Sequence, residues 1–327
     1  MSAIAPGGRS AEGDRFWSRV KELLPEADRC VVRQHVVSQV LLRRFATPGP
    51  RGSGLQIYPF DLNHPRRLHK PKGTRAFGWV EHFVPFASAS LEELWGQTEQ
   101  QLPSVFAALD HDTVFEDPQH DSVMRDLIAL HWVRSHHYLA LYHQVFAEFY
   151  ERGRNWLTTD GQALLRAAAL EKNGLHIAGP QGLEHIADQL LQPTKYAYDT
   201  GALLRVRIEE MFQKVRAYIA RSGLEIAMPE VGEFLIGDTP AQTLRPDGPL
   251  FEYGMALGEA RTVVLPLGPK HMVALGKHNR KVNIPKPFVD RMNALQVAAA
   301  HQHVFLRPRS GLQNYVQAMV ENRSASQ

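Results

Sequence analysis

Ser222-Gly223 divides this chain into two textures, and that change constrains the fold more than any single motif. Before it, apolar residues recur at helical spacing, most clearly over 118–152, where Leu127, Leu130, Leu141, Val145 and Phe149 fall into register. The length and apolar breadth of that stretch predict one central helix contacted on several sides. After it come short β-like runs broken by Gly and Pro: Glu233-Phe234-Leu235-Ile236, Thr262-Val263-Val264-Leu265 and Met272-Val273-Ala274-Leu275. The last two straddle Pro266-Leu267-Gly268-Pro269-Lys270, which reads as a hairpin loop. A helix over 287–300 and a strand at Val304-Phe305-Leu306 follow. The expected class is α+β, predominantly helical with a small antiparallel C-terminal sheet.

Ahead of the central helix, 16–24 reads as a short helix closed by Pro25. A second helix covers 33–45 and stops at Thr47-Pro48-Gly49-Pro50. Residues 55–60 alternate as a strand. Ser90-Leu91-Glu92-Glu93 is a capping box opening a helix to Leu109, with Pro103 as a kink or restart. Further helices fit 160–172, 181–192 and 200–221. There is no internal repeat and no long low-complexity linker, so both textures are expected to share one core. The division is then a tail and short helix at 1–27, a single α+β domain at 28–310 and a polar tail at 311–327. Within the domain, 28–222 is the helical part and 223–310 carries the sheet.

With 44% hydrophobic and 22% charged residues in 327, the composition excludes a disordered or fibrous chain. The single cysteine, Cys30, rules out an intramolecular disulfide and points to a reducing compartment. No run approaches the roughly 18 apolar residues that span a bilayer, and the start lacks a signal-peptide core. A cytoplasmic protein with no membrane partner is expected. The net charge of +3 matters only where it clusters, at His64-Pro65-Arg66-Arg67-Leu68-His69-Lys70-Pro71-Lys72. That stretch is either a solvated, Pro-punctuated loop or a contact for substrate phosphate through Arg66, Arg67, Lys70 and Lys72.

Four places could carry chemistry. In RQHVVSQVLLRRF (33–45), His35 and Gln39 stand one turn apart on the expected helix, and a histidine suits acid–base work near neutrality. Gly237-Asp238-Thr239-Pro240 places a carboxylate where a strand runs into a turn, as a site residue or as a cap for nearby amides. His131 and Arg134 lie a turn apart, and a buried Arg134 needs a carboxylate partner, with Glu93 and Glu99 the candidates. His136, His137 and His143 read as exposed or packed. Asn293 and Gln296 repeat the polar-pair pattern and could touch a ligand or lock the helix to the sheet. Phosphate-loop, zinc-motif and nucleophile-elbow patterns do not occur; Gly49-Pro50-Arg51-Gly52-Ser53-Gly54 lacks the Lys-Ser/Thr that a phosphate loop needs.

Four segments, RQHVVSQVLLRRFA, FLIGDTPA (234–241), LPLGP (265–269) and MNALQVAAAHQHVFLRP (292–308), resemble in order the bacterial family called domain of unknown function 4238. The resemblance spans 33–308. The family pattern carries Pro where this chain has Ser38, which should make a continuous helix easier here. It carries Ser-Asp-Asn-Pro where this chain has Gly237-Asp238-Thr239-Pro240. An arginine recurs on the helix that bears Arg134. Members occur among candidate antiphage defence genes, so the resemblance implies an intracellular effector acting on nucleic acid or another essential target.

Together these readings give a polar cleft lined by His35, Gln39, Glu99, Arg134, Asp238 and Asn293. His35 would be the base, Asp238 would orient it or hold a cation, and Arg134 would stabilise anionic charge. A ribonuclease or other phosphodiester hydrolase is the leading form, and the residue types fit either metal-independent hydrolysis or hydrolysis with a single divalent metal. A small-ligand sensing module and a purely structural polar network are the rivals. The sequence carries no feature that sets an oligomeric state.

Overall fold

The computed structural model describes residues 11–67, 69–245 and 252–325. In chain order the elements are α1 (Ala11–Leu23), β1 (Arg33–His35), α2 (Gln39–Arg44), β2 (Thr47–Pro48), β3 (Leu55–Asp61), β4 (Lys72–Gly73) and β5 (Trp79–Glu81). Then come α3 (Ser88–Asp110), α4 (Pro118–Val133), α5 (His136–Thr158), α6 (Gln162–Asn173), α7 (Pro180–Asp199) and α8 (Ala202–Ile219). The remainder is β6 (Gly223–Pro229), β7 (Ile236–Gly237), β8 (Gln242–Arg245), β9 (Glu252–Tyr253), β10 (Thr262–Gly268), β11 (His271–Gly276), β12 (Arg280–Ile284), α9 (Lys286–Ala299), β13 (His303–Leu306) and α10 (Leu312–Ala325). The fold is α+β. Residues 1–10 of the expected N-terminal tail lie outside the described residues, and 11–15, ahead of the expected short helix, already belong to α1.

Contacts group the chain into two compact units, and the division does not follow the change of texture at 222. The first unit contains residues up to 31 together with 84–89 and 139–209. Its helices bury Phe16, Val20, Leu23, Ala197 and Val206 in one cluster and Leu165, Ala169, Leu183 and Ala187 in another. Arg205 lies inside this unit, donating to Ala87 O and pairing with Glu209.

The second unit holds every strand and the candidate site residues. Its larger sheet has the order β12-β6-β11-β10-β8-β9, with β12 parallel to β6 and the other neighbours antiparallel. β10 and β11 form the expected hairpin, although the strand runs on through Pro266 with a bulge before Gly268. A second sheet has the order β2-β3-β13-β7, with β4 added to β3. β13 pairs with β3 across more than two hundred residues of chain, so sheet structure is not confined to the C-terminal part, nor is it wholly antiparallel. The apolar face of β3 and β13 (Phe60, Val304, Leu306) needed cover, and Val316 and Val320 of α10 supply it. The segment expected as a polar tail is therefore a docked helix, because its apolar residues recur at helical spacing.

The expected central helix is two. α4 opens with Asp117 accepting from Gln119 N at 2.8 Å and Pro118 at its first position, and ends where Arg134 leaves helical geometry (φ −91°, ψ 24°). Ser135 Oγ donates to Trp132 O and accepts from Tyr138 N, so one hydroxyl ends α4 and opens α5. Leu127 and Leu130 are buried on α4, whereas Leu141, Val145 and Phe149 of α5 are exposed.

Candidate functional site

The 33–45 stretch is not one helix. Residues 33–35 pair antiparallel with 79–81, and the amides of Val36 and Val37 both donate to Gly78 O, at 2.8 and 3.0 Å. Those amides are then lost to helix formation, so α2 starts only at Gln39, with Ser38 extended before it (φ −54°, ψ 132°). Replacing the family's Pro by Ser38 does not extend the helix. Gly78 sits at φ +77°, and a Cβ there would lie 2.7 Å from Leu42 Cδ1 and 3.0 Å from Val37 O, so only glycine allows this approach. His35 and Gln39 consequently do not share a helix face. Gln39 Nε2 donates to Phe77 O (2.9 Å) and Thr74 O (3.3 Å), tying down the loop that enters β5.

His35 is half-buried and its ring makes no hydrogen bond among the described residues. Burial pushes its pKa down, the charge of Arg134 pushes it further, and Glu99 opposes them. His35, Glu99 and Arg134 thus share one electrostatic neighbourhood. Arg134 is 2% exposed, lies 4.2 Å over the Trp95 ring, and donates through Nη1 to Glu99 Oε1 at 3.3 Å. Its Nη2 is 3.7 Å from Glu92 Oε1, and neither atom has a hydrogen-bond partner among the described residues. The second carboxylate is Glu92, not the expected Glu93. Burial pushes the Glu92 carboxyl up, against the pull of Arg134 and with the push of Glu99. Glu92, Trp95 and Glu99 lie on one face of α3, three and four residues apart, a helical spacing visible in the sequence.

The other expected residues hold backbone. Asp238 accepts from the amides of His301, Gln302 and His303 at 2.7, 2.8 and 2.8 Å, fixing the turn between α9 and β13. Asn293 accepts from Leu235 N and donates to Glu233 O; Gln296 accepts from Gly237 N and donates to Pro240 O. A Cβ at Gly237 would lie 3.0 Å from Gln296 O, so the glycine lets β7 approach α9 closely enough for this amide exchange. Asp238 is not among the charges that shift the His35 pKa, whereas Glu99 is.

His131 is fully buried with both nitrogens engaged: Nδ1–H donates to Leu127 O (3.0 Å) and Nε2 accepts from Ser38 N (3.1 Å). That arrangement fixes the neutral tautomer, and burial pushes its pKa down to about 3. His136 stacks on His301 with centroids 4.2 Å apart. Burial and the neighbouring His301 push the His136 pKa down, with Asp238 opposing. Arg66, Arg67, Lys70 and Lys72 are exposed and make no ion pair among the described residues. No group of three or more His, Cys, Asp or Glu side chains arranged to hold a metal occurs among the described residues. A shallow pocket of about 210 Å³ lined by Tyr218, Ser222, Arg261 and Lys277 includes none of the expected site residues. No helix is long and apolar enough to cross a membrane among the described residues.

A family model described as a protein of unknown function, DUF4238, matches residues 33–310. No curated protein and no solved structure matches the chain.

Proposed function

From the premise that the chain belongs to the DUF4238 family, we propose that it is an intracellular hydrolase of nucleic-acid phosphodiester bonds, working as an antiphage effector. The observation that supports this reading is the half-buried, unbonded imidazole of His35 beside a carboxylate that a buried arginine holds in place. A neutral imidazole near pH 7 is a base ready to take a proton. In hydrolysis His35 would take one from water, the resulting hydroxide oxygen would bond to phosphorus, and the P–O bond to the leaving oxygen would break. The imidazolium would then return its proton to that oxygen. Glu99 would stabilise the imidazolium while it exists, the role a carboxylate plays beside any catalytic histidine. Arg134, at 2% exposure, is a positioning residue for Glu99 and Glu92 rather than a direct phosphate ligand. The exposed Arg66, Arg67, Lys70 and Lys72 would bind backbone phosphates without reading sequence.

The test is incubation of the purified chain with labelled transfer RNA, messenger RNA and single-stranded DNA, with and without divalent metal. The same assay is repeated with extract from phage-infected cells. Cleavage that His35→Ala abolishes with little change in melting temperature supports the reading. No cleavage in any condition, together with saturable binding of a small metabolite, replaces it with the sensor reading.

A further inference from the structure

We infer that Trp79 is a stacking platform for an unpaired nucleobase of the strand at whose phosphate His35 acts as the base, and that Arg33 is its exchangeable cover. The inference rests on the acid–base reading of His35. In the β1–β5 ribbon Trp79 is the direct cross-strand partner of His35, and Arg33 pairs with Glu81 two residues along. Directly opposed side chains of an antiparallel pair share a face, with Cβ atoms about 4.5–5.5 Å apart. Arg33, His35, Trp79 and Glu81 therefore form one face, and Gln34 and Val80 the other. Gln34 is 1% exposed, which turns the first face outward. An indole beside the proposed base is thus geometrically imposed.

The Arg33 guanidinium lies 4.3 Å over that indole. Its other contact is a 3.9 Å approach to Glu81, and the two side chains are 65% and 57% exposed. An ion pair that exposed contributes little. A flat cation held mainly by stacking can yield to a flat base, and once displaced it becomes a donor for the adjoining phosphate. The indole Nε1–H is buried and has no hydrogen-bond partner among the described residues, so what Trp79 offers a base is its ring face and not this donor. Stacking needs a base free of its complement, so the ligand is single-stranded; RNA and DNA share that chemistry.

Binding would be measured with the full chain carrying His35→Gln, which prevents turnover. The probes are a ten-nucleotide RNA, the DNA of the same sequence, and an abasic backbone of equal length. Loss of one stacked base costs roughly tenfold in affinity. The expected result is that RNA, DNA or both bind at least about that much more tightly than the abasic strand, and that Trp79→Leu removes the difference while abasic binding is unchanged. Arg33→Ala should lower the slope of log affinity against log salt by about one phosphate contact. Equal binding of abasic and base-bearing strands, or equal weakening of both by Trp79→Leu, overturns the inference. If circular dichroism shows that Trp79→Leu does not fold, fluorescence quenching by a mononucleotide is compared in the parent and Trp79→Tyr chains. Identical quenching overturns the inference too. Base-dependent binding without cleavage by the wild-type chain would sink the hydrolase reading alone; cleavage indifferent to Trp79→Leu would sink only the stacking platform.

Discussion

Acid should destabilise this protein most strongly through His131. Its imidazole is held neutral by two backbone partners and pushed down to about 3, while in the unfolded chain it returns to the ordinary histidine value near 6.5. A depressed folded value means that stability is intact above about pH 6.5 and is lost as pH falls towards 3, because only the unfolded chain takes up the proton. Each pH unit inside that window costs about 1.4 kcal/mol, so moving from pH 7 to pH 5 removes about 2 kcal/mol. Against a typical domain stability of about 5–15 kcal/mol that is a large share. His131→Gln keeps a donor and an acceptor but cannot titrate. It should lower stability at pH 7 by about 1–3 kcal/mol, since its geometry cannot reproduce both bonds. Urea unfolding of both chains at pH 7, 6 and 5 isolates the effect, because other half-buried histidines contribute equally to each. The wild-type loss should exceed the variant's by about 2 kcal/mol at pH 5. Parallel pH profiles would refute the reasoning, as would an imidazole that titrates near 6 by NMR in the folded protein.

Three further outcomes follow from the same geometry. Asp238→Asn replaces a carboxylate that accepts three amides with a group that aims an N–H at them, and should cost about 2–4 kcal/mol by urea unfolding; a change under about 0.5 kcal/mol would deny its capping role. Arg134→Gln removes the positive charge that holds the His35 pKa down, so the His35 imidazole should titrate at higher pH in an NMR series, and an unchanged midpoint would separate the two residues. Ser38→Pro suits the backbone φ of −54° but deletes the N–H that His131 accepts. It should cost about 1–3 kcal/mol alone and much less in the His131→Gln background, which a double-mutant cycle reads directly.

α6, α8 and α9 fall within two residues of where periodicity puts them, whereas α1 starts at Ala11 ahead of the expected Phe16, α7 runs to Asp199 past the expected Gln192, and α10 stands where a polar tail is expected. The failures have identifiable physical causes. At 33–45 the apolar residues suit a helix, but the amides of Val36 and Val37 bond to Gly78 O, forty residues away in sequence, and no local pattern reports that. At 118–152 the break turns on a single hydroxyl, Ser135 Oγ, whose two hydrogen bonds serve both helices equally well in prospect. β12 joins β6 as a parallel neighbour through Arg280–Ile284, a charged run without the alternation that marks a half-buried strand.

The site was legible only in part, and for one reason: residue types show what a side chain can bond, not what reaches it first. Asp238, Asn293, Gln296 and Gln39 are good ligand-binding types, yet each has a backbone amide or carbonyl within 3.0 Å. Those bonds join segments that are distant in sequence, α9 to the 233–240 segment and α2 to the 74–77 segment, so these residues are bound up with the architecture. His35 differs because its ring, opposite Trp79 in the ribbon, makes no hydrogen bond among the described residues. Its remaining influences are the charges of Arg134 and Glu99. A resemblance built on ordered motifs does not separate the two kinds, since a lock between distant segments and an acid–base group both require a particular residue at a particular place. The separation comes from asking which polar side chain still has unspent hydrogen bonds after the backbone has taken its share. By that criterion His35 is the candidate for acid–base work, beside the equally unspent Arg134 Nη2 and Glu92 Oε1, and Asp238 belongs with the turn it holds.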